Sequence, residues 1–519
     1  MEYGSRPDRF AAAIAGLTVA SRALGFVRTL VVTSVLGLSF LGNVYATANS
    51  LPNLLFEIVA GGALAAVIVP SLAGLLTKGD RQILDSAASS FLNLALLTVT
   101  PLVVAGLFLR EPLMGVLLSQ VEDPGIRASQ IELGSFFLLL FLPQIWLYTA
   151  GIVLTGVLHA YRRFLAPAVA PMLSSIVVTG VYLLYSFQDG TRDVTRITLT
   201  GKLILGAGTT LGVAILSLSL VVPAMRVGFR WGPILRVPIT ARRNIKGLLA
   251  AAVVAVALQQ LFLGIVVVLG NQVEGGVVAY QLAFTALLLP WAVLAIPVIT
   301  TSFPGLAAAF ARGDEHDFAI RSSKTTSQIV WLTLGGSAVM VAAAGPALKV
   351  LLAFGPQGAD PSLVIPTVMA FAPGLVGYGL YALLTRTAYA SDNGRLAATA
   401  SVYGFGLAIV LSLAAPRMFD GKDLIAAMAA SFSVGTLVAS TYLLVGLRSR
   451  RGPGIFKGFA VTATRGSAAA IIAGALGWSV SRLLPSGHLA SNLLSTVLTV
   501  AAAASAYAVL ASVKQGVKN

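Results

Sequence analysis

Two arginines, Arg22 and Arg28, lie in an otherwise apolar stretch from residue 11 to residue 37. A helix rises about 1.5 Å per residue, so each arginine lies roughly 13–17 Å from the nearer end of that stretch. A membrane span crosses about 30 Å of hydrocarbon, so both positions are close to its middle. A guanidinium at that depth costs at least about 2.5–3.5 kcal/mol on insertion scales. The pair therefore predicts a water-filled, cationic cavity that receives an anion.

The spacing of the two arginines suits binding around an anion. Six positions correspond to about 240° of helical rotation, so a straight helix directs the two side chains into neighbouring sectors, and Gly25 between them allows bending. A guanidinium fork matches the oxygens of phosphate or pyrophosphate. The alternative is that both arginines bond helix carbonyls or a structural carboxylate.

Three polar residues of the second apolar segment complete the candidate site: Glu57, Asn43 and Asn53. Glu57 is an acid well inside a span, and two assignments remain open for it. It either pairs with Arg22 or Arg28 as a gate that an anionic substrate breaks, or neutralises them as a structural partner. The asparagines either contact the substrate or form hydrogen bonds between helices.

Composition requires a membrane protein of many helices. The chain has 519 residues, of which 57% are hydrophobic and 10% charged, with a mean hydropathy of +0.89 and no cysteine. Long apolar runs predict an all-α polytopic fold with about fourteen transmembrane helices. The predicted spans are 11–37, 43–76, 84–109, 133–160, 166–187, 201–225, 247–272, 277–311, 326–348, 363–390, 396–416, 424–447, 461–481 and 489–513.

The distribution of lysines and arginines over the connections indicates how the chain is oriented in the membrane. When the connections between the spans are sorted alternately, the side of the N-terminus carries more than twice as many lysines and arginines as the other side. The positive-inside rule then predicts that both termini are cytoplasmic. The basic segment 228–246 is expected to lie on anionic lipid headgroups, and no nucleic-acid partner is expected.

An internal repeat predicts two parallel halves. Phe141-Leu-Pro143 is followed by Tyr148, and Phe371-Ala-Pro373 is followed by Tyr378, at an offset of 230 residues. A shift of six helices preserves orientation, so the halves are expected to be related by an axis along the membrane normal. The predicted segments are an N-lobe (1–227), a basic linker (228–246), a C-lobe (247–450) and two final helices (451–519).

Signals of enzymatic chemistry are missing from the sequence. The three histidines, His159, His316 and His488, have no metal-ligand spacing, and there is no phosphate-binding loop for ATP. A transporter that needs no cofactor is expected instead. Its energy would come from an ion gradient, the membrane potential or the gradient of its substrate.

Two segments resemble the MurJ/MviN family, the lipid II flippases of the multidrug/oligosaccharidyl-lipid/polysaccharide exporter superfamily. Ser21-Arg-Ala-Leu-Gly-Phe-Val-Arg28 is similar to the family pattern S-R-x-x-G-x-x-R of the first helix. Leu51-Pro-Asn-Leu-Leu55, followed by Gly62-Ala63 and Val69-Pro70, is similar to the second helix. A likeness to actinobacterial members is carried by Gly206-Ala-Gly-Thr-Thr210 and Leu352-Ala-Phe-Gly355.

The resemblance implies two six-helix lobes around a V-shaped cavity in a bacterial inner membrane, with helices thirteen and fourteen forming a groove for a lipid tail. The family's cavity arginines fall on Arg22 and Arg28. Three family charges are absent, because their positions fall on Asn43, on Phe56 and near Thr285.

The resemblance implies a flippase that moves lipid II, or a related polyprenyl-pyrophosphate glycan, from the inner to the outer leaflet for cell-wall synthesis. The alternative is an exporter of another polyprenyl-linked glycan or of an amphipathic drug. A membrane scaffold or a polytopic glycosyltransferase is a third hypothesis. Membrane lipids are the expected surroundings, and the sequence leaves the oligomeric state open, a monomer included.

Overall fold

The fold is described from a computed structural model, which covers residues 6–58, 81–235, 246–353, 361–484 and 488–512. Within these ranges the protein is helical and contains no β-strand. The chain divides into two compact units, Met1–Gly275 and Gly276–Asn519. The predicted all-α class is therefore confirmed.

Unit 1 contains ten α-helices within the described ranges. They are α1 (Arg6–Leu36), α2 (Phe40–Phe56), α3 (Arg81–Phe108), α4 (Arg110–Leu117), α5 (Pro124–Phe141), α6 (Gln144–Ala160), α7 (Leu165–Gln188), α8 (Leu199–Leu218), α9 (Val221–Arg226) and α10 (Lys246–Gly270). Helix α1 packs along α7, α2 along α5, α3 along α6, and α7 along α8. The core at the centre of these contacts contains Phe137, Phe141 and Tyr185, each fully buried.

Unit 2 contains eight α-helices within the described ranges. They are α11 (Gly276–Pro290), α12 (Ile296–Ala311), α13 (Glu315–Ala353), α14 (Pro361–Ala390), α15 (Gly394–Ala414), α16 (Gly421–Arg451), α17 (Phe459–Leu483) and α18 (Leu489–Ser512). Helix α14 packs along α16 and α13, while α17 and α18 pack on α13 and on each other. Helices α15 and α16 approach closely, because a Cβ on Gly404 would lie 2.6 Å from the carbonyl oxygen of Gly435.

Twelve helical segments of the described ranges are long and apolar enough to cross a membrane. The first predicted span, 11–37, falls on α1, and the second, 43–76, begins on α2 and continues outside the described residues. Several segments join two helices, as in Pro124–Ala160, where α5 and α6 meet at Pro143. The polytopic architecture is confirmed, and the count of fourteen spans stays a prediction.

Prolines interrupt helices in both units. Helix α5 ends at Phe141, and Pro143 directly precedes α6. In unit 2, Pro290 ends α11, and a wider π-helical turn, Trp291–Ala295, connects it to α12. A proline lacks the N–H that the helix needs and collides with the preceding turn, which accounts for both interruptions.

The two units repeat the same aromatic packing. Tyr45 meets Phe141 edge to face at 5.9 Å, and Tyr280 meets Phe371 in the same manner at 5.1 Å. A tilted pair repeats as well, since Phe56 lies 5.1 Å from Tyr148 and Trp291 lies 5.0 Å from Tyr378. The helices that supply these rings follow the same order in both halves, which supports the predicted duplication.

The packing and the repeat divide the chain at different points. By sequence α10 opens the second half, whereas its contacts place it in unit 1. The residues that follow it explain this, because Asn271 donates from Nδ2 to Thr47 Oγ1 of α2 at 3.0 Å and to the carbonyl of Leu117 of α4 at 3.2 Å. The division into segments 1–227, 228–246, 247–450 and 451–519 stays a prediction.

Candidate substrate site

Helix α1 carries both candidate arginines. Arg22 is exposed and Arg28 is half-buried. Gly25, which lies between them, has no heavy atom within 4 Å of the place where a Cβ would be, so the adjoining face of α1 is open. Among the described residues, neither arginine forms an ion pair with a carboxylate within 4 Å. The two guanidinium groups therefore remain available to an external anion.

Three tyrosines from other helices lie within electrostatic range of Arg28. They are Tyr45 on α2, Tyr148 on α6 and Tyr182 on α7. Tyr45 and Tyr182 are buried, with only 3% and 4% of their surface exposed. The charge of the half-buried Arg28 thus acts on buried hydroxyl groups of unit 1.

The buried hydroxyl groups form a hydrogen-bond chain with a definite direction. Thr209 donates to the carbonyl of Leu205 at 2.6 Å, which uses its only hydroxyl hydrogen. The hydroxyl of Tyr45, 2.7 Å away, must therefore donate to Thr209. The Tyr45 oxygen then accepts from Tyr182 at 2.8 Å. The chain runs from Tyr182 through Tyr45 and Thr209 to the backbone, and it holds the two rings in place beside Arg28.

Glu57 occupies the residue directly after α2 and is exposed. No lysine, arginine or histidine of the described residues lies within 4 Å of its carboxylate. In this conformation Glu57 is thus not paired with Arg22 or Arg28. Its side chain is accessible at the C-terminal end of α2.

The two asparagines of the candidate site have different surroundings. Asn43 is fully buried, and its Nδ2 donates to the carbonyl of Val273 at 2.8 Å, which joins the start of α2 to the chain after α10. Asn53 is half-buried and donates from Nδ2 to the carbonyl of Asn49 at 3.0 Å, within its own helix. Asn43 therefore holds two chain segments together. Asn53 is bonded only within its own helix, and its side chain remains partly accessible.

The resemblance leads us to expect charged residues at two further positions, and neutral side chains occupy them here. Phe56 is buried and packs on the ring of Tyr148. Thr285 is half-buried and donates to the carbonyl of Gln281 of its own helix at 2.8 Å. These side chains give the described part of the site a charge pattern that differs from the expected one.

The sequence alone does not connect these tyrosines with Arg28. Tyr148 stands out only because it repeats as Tyr378, and no sequence pattern distinguishes Tyr182. A helical pattern shows which residues share a face of one helix, but it does not show which helices meet. The repeat spacing at Tyr148 was the one clue that could have drawn attention to this position.

Known proteins share both the sequence pattern and the fold. A family model described as "Lipid II flippase MurJ" matches residues 32–498. A probable lipid II flippase MurJ of Rhizobium meliloti (strain 1021) is 25% identical over 390 residues, covering 73% of this chain and 68% of that protein. The lipid II flippase MurJ of Burkholderia cenocepacia is 24% identical over 474 residues, which cover 90% of this chain and 88% of that protein.

Solved structures agree with the fold. A structure titled "Lipid II flippase MurJ, inward closed conformation" superposes with a TM-score of 0.75 at 17% identity, covering 96% of this chain and 98% of the other. An inward-facing multidrug transporter of the MATE family superposes with a TM-score of 0.63 at 14% identity, covering 83% and 94% of the two chains.

The multi-pass helical fold, the arginine-bearing first helix and these similarities define a transporter of the inner membrane and not an enzyme. Because the family model covers most of the sequence, the chain belongs to the lipid II flippase MurJ family.

Proposed function

We propose that this protein is a flippase that moves lipid II, a polyprenyl-pyrophosphate-linked peptidoglycan precursor, from the inner to the outer leaflet by alternating access. Membership of the family supports the substrate class. The family match begins at residue 32, so Arg22 and Arg28 are argued from their own surroundings. In this proposal the two arginines bind the pyrophosphate while the lipid tail stays in the bilayer.

The observation that carries the proposal is that Arg28 has no ion-pair partner among the described residues, while three tyrosine hydroxyls lie within its electrostatic range. Arginines at membrane depth are expected to pair with a carboxylate or to face water. Arg28 has no carboxylate within 4 Å among the described residues, so a bound anion supplies the missing charge. Pyrophosphate offers several oxygens in the geometry that guanidinium forks bind.

The charge of the substrate also provides a driving force. An inside-negative potential favours outward movement of an anion by about 2.3 kcal/mol per charge per 100 mV. A pyrophosphate that crosses without a compensating cation therefore gains energy from the membrane potential. No ATP is needed, in agreement with the missing phosphate-binding loop. This direction assumes cytoplasmic N- and C-termini, as the positive-inside rule predicts.

Glu57, Asn43 and Asn53 are proposed as the remainder of the substrate site. Glu57 is exposed and unpaired in the conformation described, so it is free to meet Arg22 or Arg28 in another state of the cycle. Such an exchange of partners would release the pyrophosphate without leaving the arginines uncompensated. Asn53 would offer its amide oxygen to the headgroup, and Asn43 would hold the start of α2.

Replacement of the arginines tests the site directly. In a leaflet-accessibility assay with labelled lipid II in proteoliposomes, Arg22→Gln and Arg28→Gln should each reduce translocation at least about tenfold, because each removes a charge-assisted contact. Arg28→Lys should restore only part of the rate, since an ammonium lacks the planar fork. Arg196→Gln, on an exposed loop of the same unit, is the matched control. Unchanged translocation in both glutamine variants would refute the site.

The missing family charges favour a second candidate, an exporter of another polyprenyl-linked glycan or of an amphipathic drug. Asn43 and Phe56 are neutral where the resemblance leads us to expect charged residues. Complementation of a bacterium depleted of its own lipid II flippase separates the two functions. Growth after depletion supports lipid II transport, and failure of a well-expressed protein supports the alternative.

A further inference from the structure

Unit 2 contains a cavity of about 650 Å³ between α12 and α14. Its lining includes one cation, hydroxyl groups and aromatic rings, and the residues that matter here are Thr300, Phe303, Tyr381, Arg386 and Tyr389. A cavity of this size holds a group as large as one or two sugars or a short peptide. All of these lining residues belong to unit 2.

Arg386 is the charged residue of this lining. Helix α14 ends at Ala390, so the arginine lies about one turn, roughly 6 Å, before the end of the helix. An arginine at such a position commonly extends to the lipid headgroups. Here the side chain is exposed and also lines the open cavity, and no carboxylate of the described residues lies within 4 Å of it. The cavity therefore has one uncompensated positive charge.

Thr300 faces the same cavity with hydrogen-bond acceptors. Its hydroxyl donates to the carbonyl of Ile296 at 2.9 Å, so the hydroxyl hydrogen is used and the oxygen lone pairs remain. Pro304 stands four residues later and has no N–H, so the backbone carbonyl of Thr300 lacks its normal helical donor. This side of the cavity thus suits a ligand that brings N–H or O–H groups.

The third part of the lining is aromatic. Ser401 donates to the carbonyl of Ala397 at 3.0 Å, so the hydroxyl of Tyr381 must donate to Ser401, 2.7 Å away. With its hydroxyl held by α15, Tyr381 presents its ring to the cavity. Phe303 and Tyr389 add further rings, with 37% and 38% of their surface exposed. Such rings cover the less polar faces of a bound group.

The architecture of the repeat does not require these residues. At the offset of 230, Gly151 and Gly156 of α6 correspond to Tyr381 and Arg386 of α14. The equivalent helix of unit 1 thus folds with glycines at both positions. The repeat alone therefore does not account for the guanidinium of Arg386, whereas the ring of Tyr381 also packs on Phe405.

We propose that this cavity binds the sugar–peptide headgroup of the transported lipid through a carboxylate. The carboxylate pairs with Arg386, N–H or O–H groups of the headgroup donate to the two acceptors of Thr300, and apolar faces lie against the rings. That the ligand is the headgroup of the transported lipid rests on the proposed function. That the ligand carries a carboxylate and N–H or O–H donors rests on the lining residues alone. A phospholipid headgroup would also satisfy Arg386 and Thr300, but a cavity of about 650 Å³ with three aromatic rings suits the larger sugar–peptide.

The test uses a headgroup probe that contains no phosphate. Binding of N-acetylmuramoyl pentapeptide to the full chain in nanodiscs of neutral lipid is measured by titration, alongside undecaprenyl pyrophosphate, which has no sugar or peptide. Arg386→Gln should weaken muropeptide binding at least about tenfold, or about 1.4 kcal/mol, and leave undecaprenyl pyrophosphate binding unchanged. Thr300→Val should weaken muropeptide binding about threefold. Arg395→Gln, which removes an exposed charge at the start of α15, is the control and should change neither.

The outcomes separate this inference from the proposed function. A muropeptide whose carboxylates are amidated should bind to the wild type as weakly as the free muropeptide binds to Arg386→Gln. Absence of saturable muropeptide binding to the wild type, or equal binding by Arg386→Gln, overturns the inference, even if the α1 arginines still bind pyrophosphate. An Arg386-dependent response only to vesicles that contain phosphatidylglycerol also overturns it, and assigns the cavity to a lipid headgroup. If the wild type does not bind undecaprenyl pyrophosphate, the result contradicts the proposed function but not this inference.

Discussion

The hydroxyl oxygens of Tyr182 and Tyr45 lie 2.8 Å apart, and Tyr182 donates to Tyr45 because the hydrogen of Tyr45 is already used on Thr209. This relationship joins α7 to α2 next to Arg28 of α1. Helices α2, α7 and α8 therefore meet at one buried polar chain, which lies within electrostatic range of the guanidinium. A shift of any of these helices would change the electrostatic surroundings of Arg28.

The second unit packs the same helices without this polar chain. Tyr280 corresponds to Tyr45 at the offset of 235, and Phe405 and Phe432 correspond to Tyr182 and Thr209 at an offset of 223. The rings of Phe405 and Phe432 are tilted to each other with centroids 6.5 Å apart, and among the described residues the buried hydroxyl of Tyr280 has no partner. Because two of the three equivalent positions are phenylalanines, the packing of these helices does not require the hydroxyl groups of Tyr182 and Thr209.

Tyr182→Phe removes the first donor of this chain and leaves the ring in place. We expect the affinity for undecaprenyl pyrophosphate to fall about three- to tenfold, or about 0.7–1.4 kcal/mol, because Tyr45 and Arg28 lose a fixed neighbour. Titration of undecaprenyl pyrophosphate onto the protein in nanodiscs measures this affinity. Tyr185→Phe is the control, since its hydroxyl donates to the carbonyl of Thr191 at the end of the same helix. Equal affinities for both variants would contradict the positioning role.

Glu57→Gln separates the two assignments of this acid. Because Glu57 has no cationic partner within 4 Å in the described conformation, thermal unfolding should be unchanged within about 0.5 kcal/mol. Removal of a negative charge near the anion site should strengthen pyrophosphate binding, and a gate should show slower release and slower translocation. Single-turnover translocation and equilibrium pyrophosphate binding are measured for Glu57→Gln and for the wild type. Weaker binding with unchanged release would assign Glu57 to a structural role.

The sequence was sufficient for the fold class and insufficient for the site. Apolar runs of span length leave few alternatives to membrane helices, so the class followed from hydropathy. The spacing of Pro143 and Pro373 revealed the repeat because proline interrupts both halves. The partners of Arg28 come from α2, α6 and α7, and no periodicity within one helix predicts such a meeting. The position of Arg386 near a helix end indicates by sequence only an extension toward the headgroups, because its cavity depends on α12.

Arg192 holds the end of α1 from a connecting loop. Its Nε donates to the carbonyl of Val35 and its Nη2 to that of Ser34, both at 3.1 Å. These carbonyls belong to the last turn of the helix, where a cation is favourable. Arg192→Ala should lower the free energy of unfolding by about 1–2 kcal/mol, a value reduced for solvent exposure. Thermal unfolding in detergent measures it, with Arg196→Ala as the control. Equal melting temperatures of the two variants would contradict this role.

Arg451 joins the ends of four helices in unit 2. Its Nη1 pairs with Glu315 of α13 at 2.8 Å, its Nη2 donates to the carbonyl of Ser391 after α14 at 2.8 Å, and its guanidinium carbon lies 4.6 Å from the ring centre of Phe310 on α12. The side chain is 20% exposed, so these contacts are only partly screened. Each contact requires a different part of the same planar group.

Arg451→Lys keeps the charge and loses this geometry. One ammonium cannot serve Glu315, Ser391 and the ring of Phe310 together, so we expect a loss of about 2 kcal/mol in stability, and slightly more for Arg451→Ala. Thermal unfolding of the purified protein checks it, and Arg448→Lys, on the exposed side of α16, is the matched control. Because the cavity residues Thr300 and Arg386 belong to α12 and α14, muropeptide binding by Arg451→Lys should weaken in parallel. A stable variant with full muropeptide binding would show that these helix ends are held by other contacts.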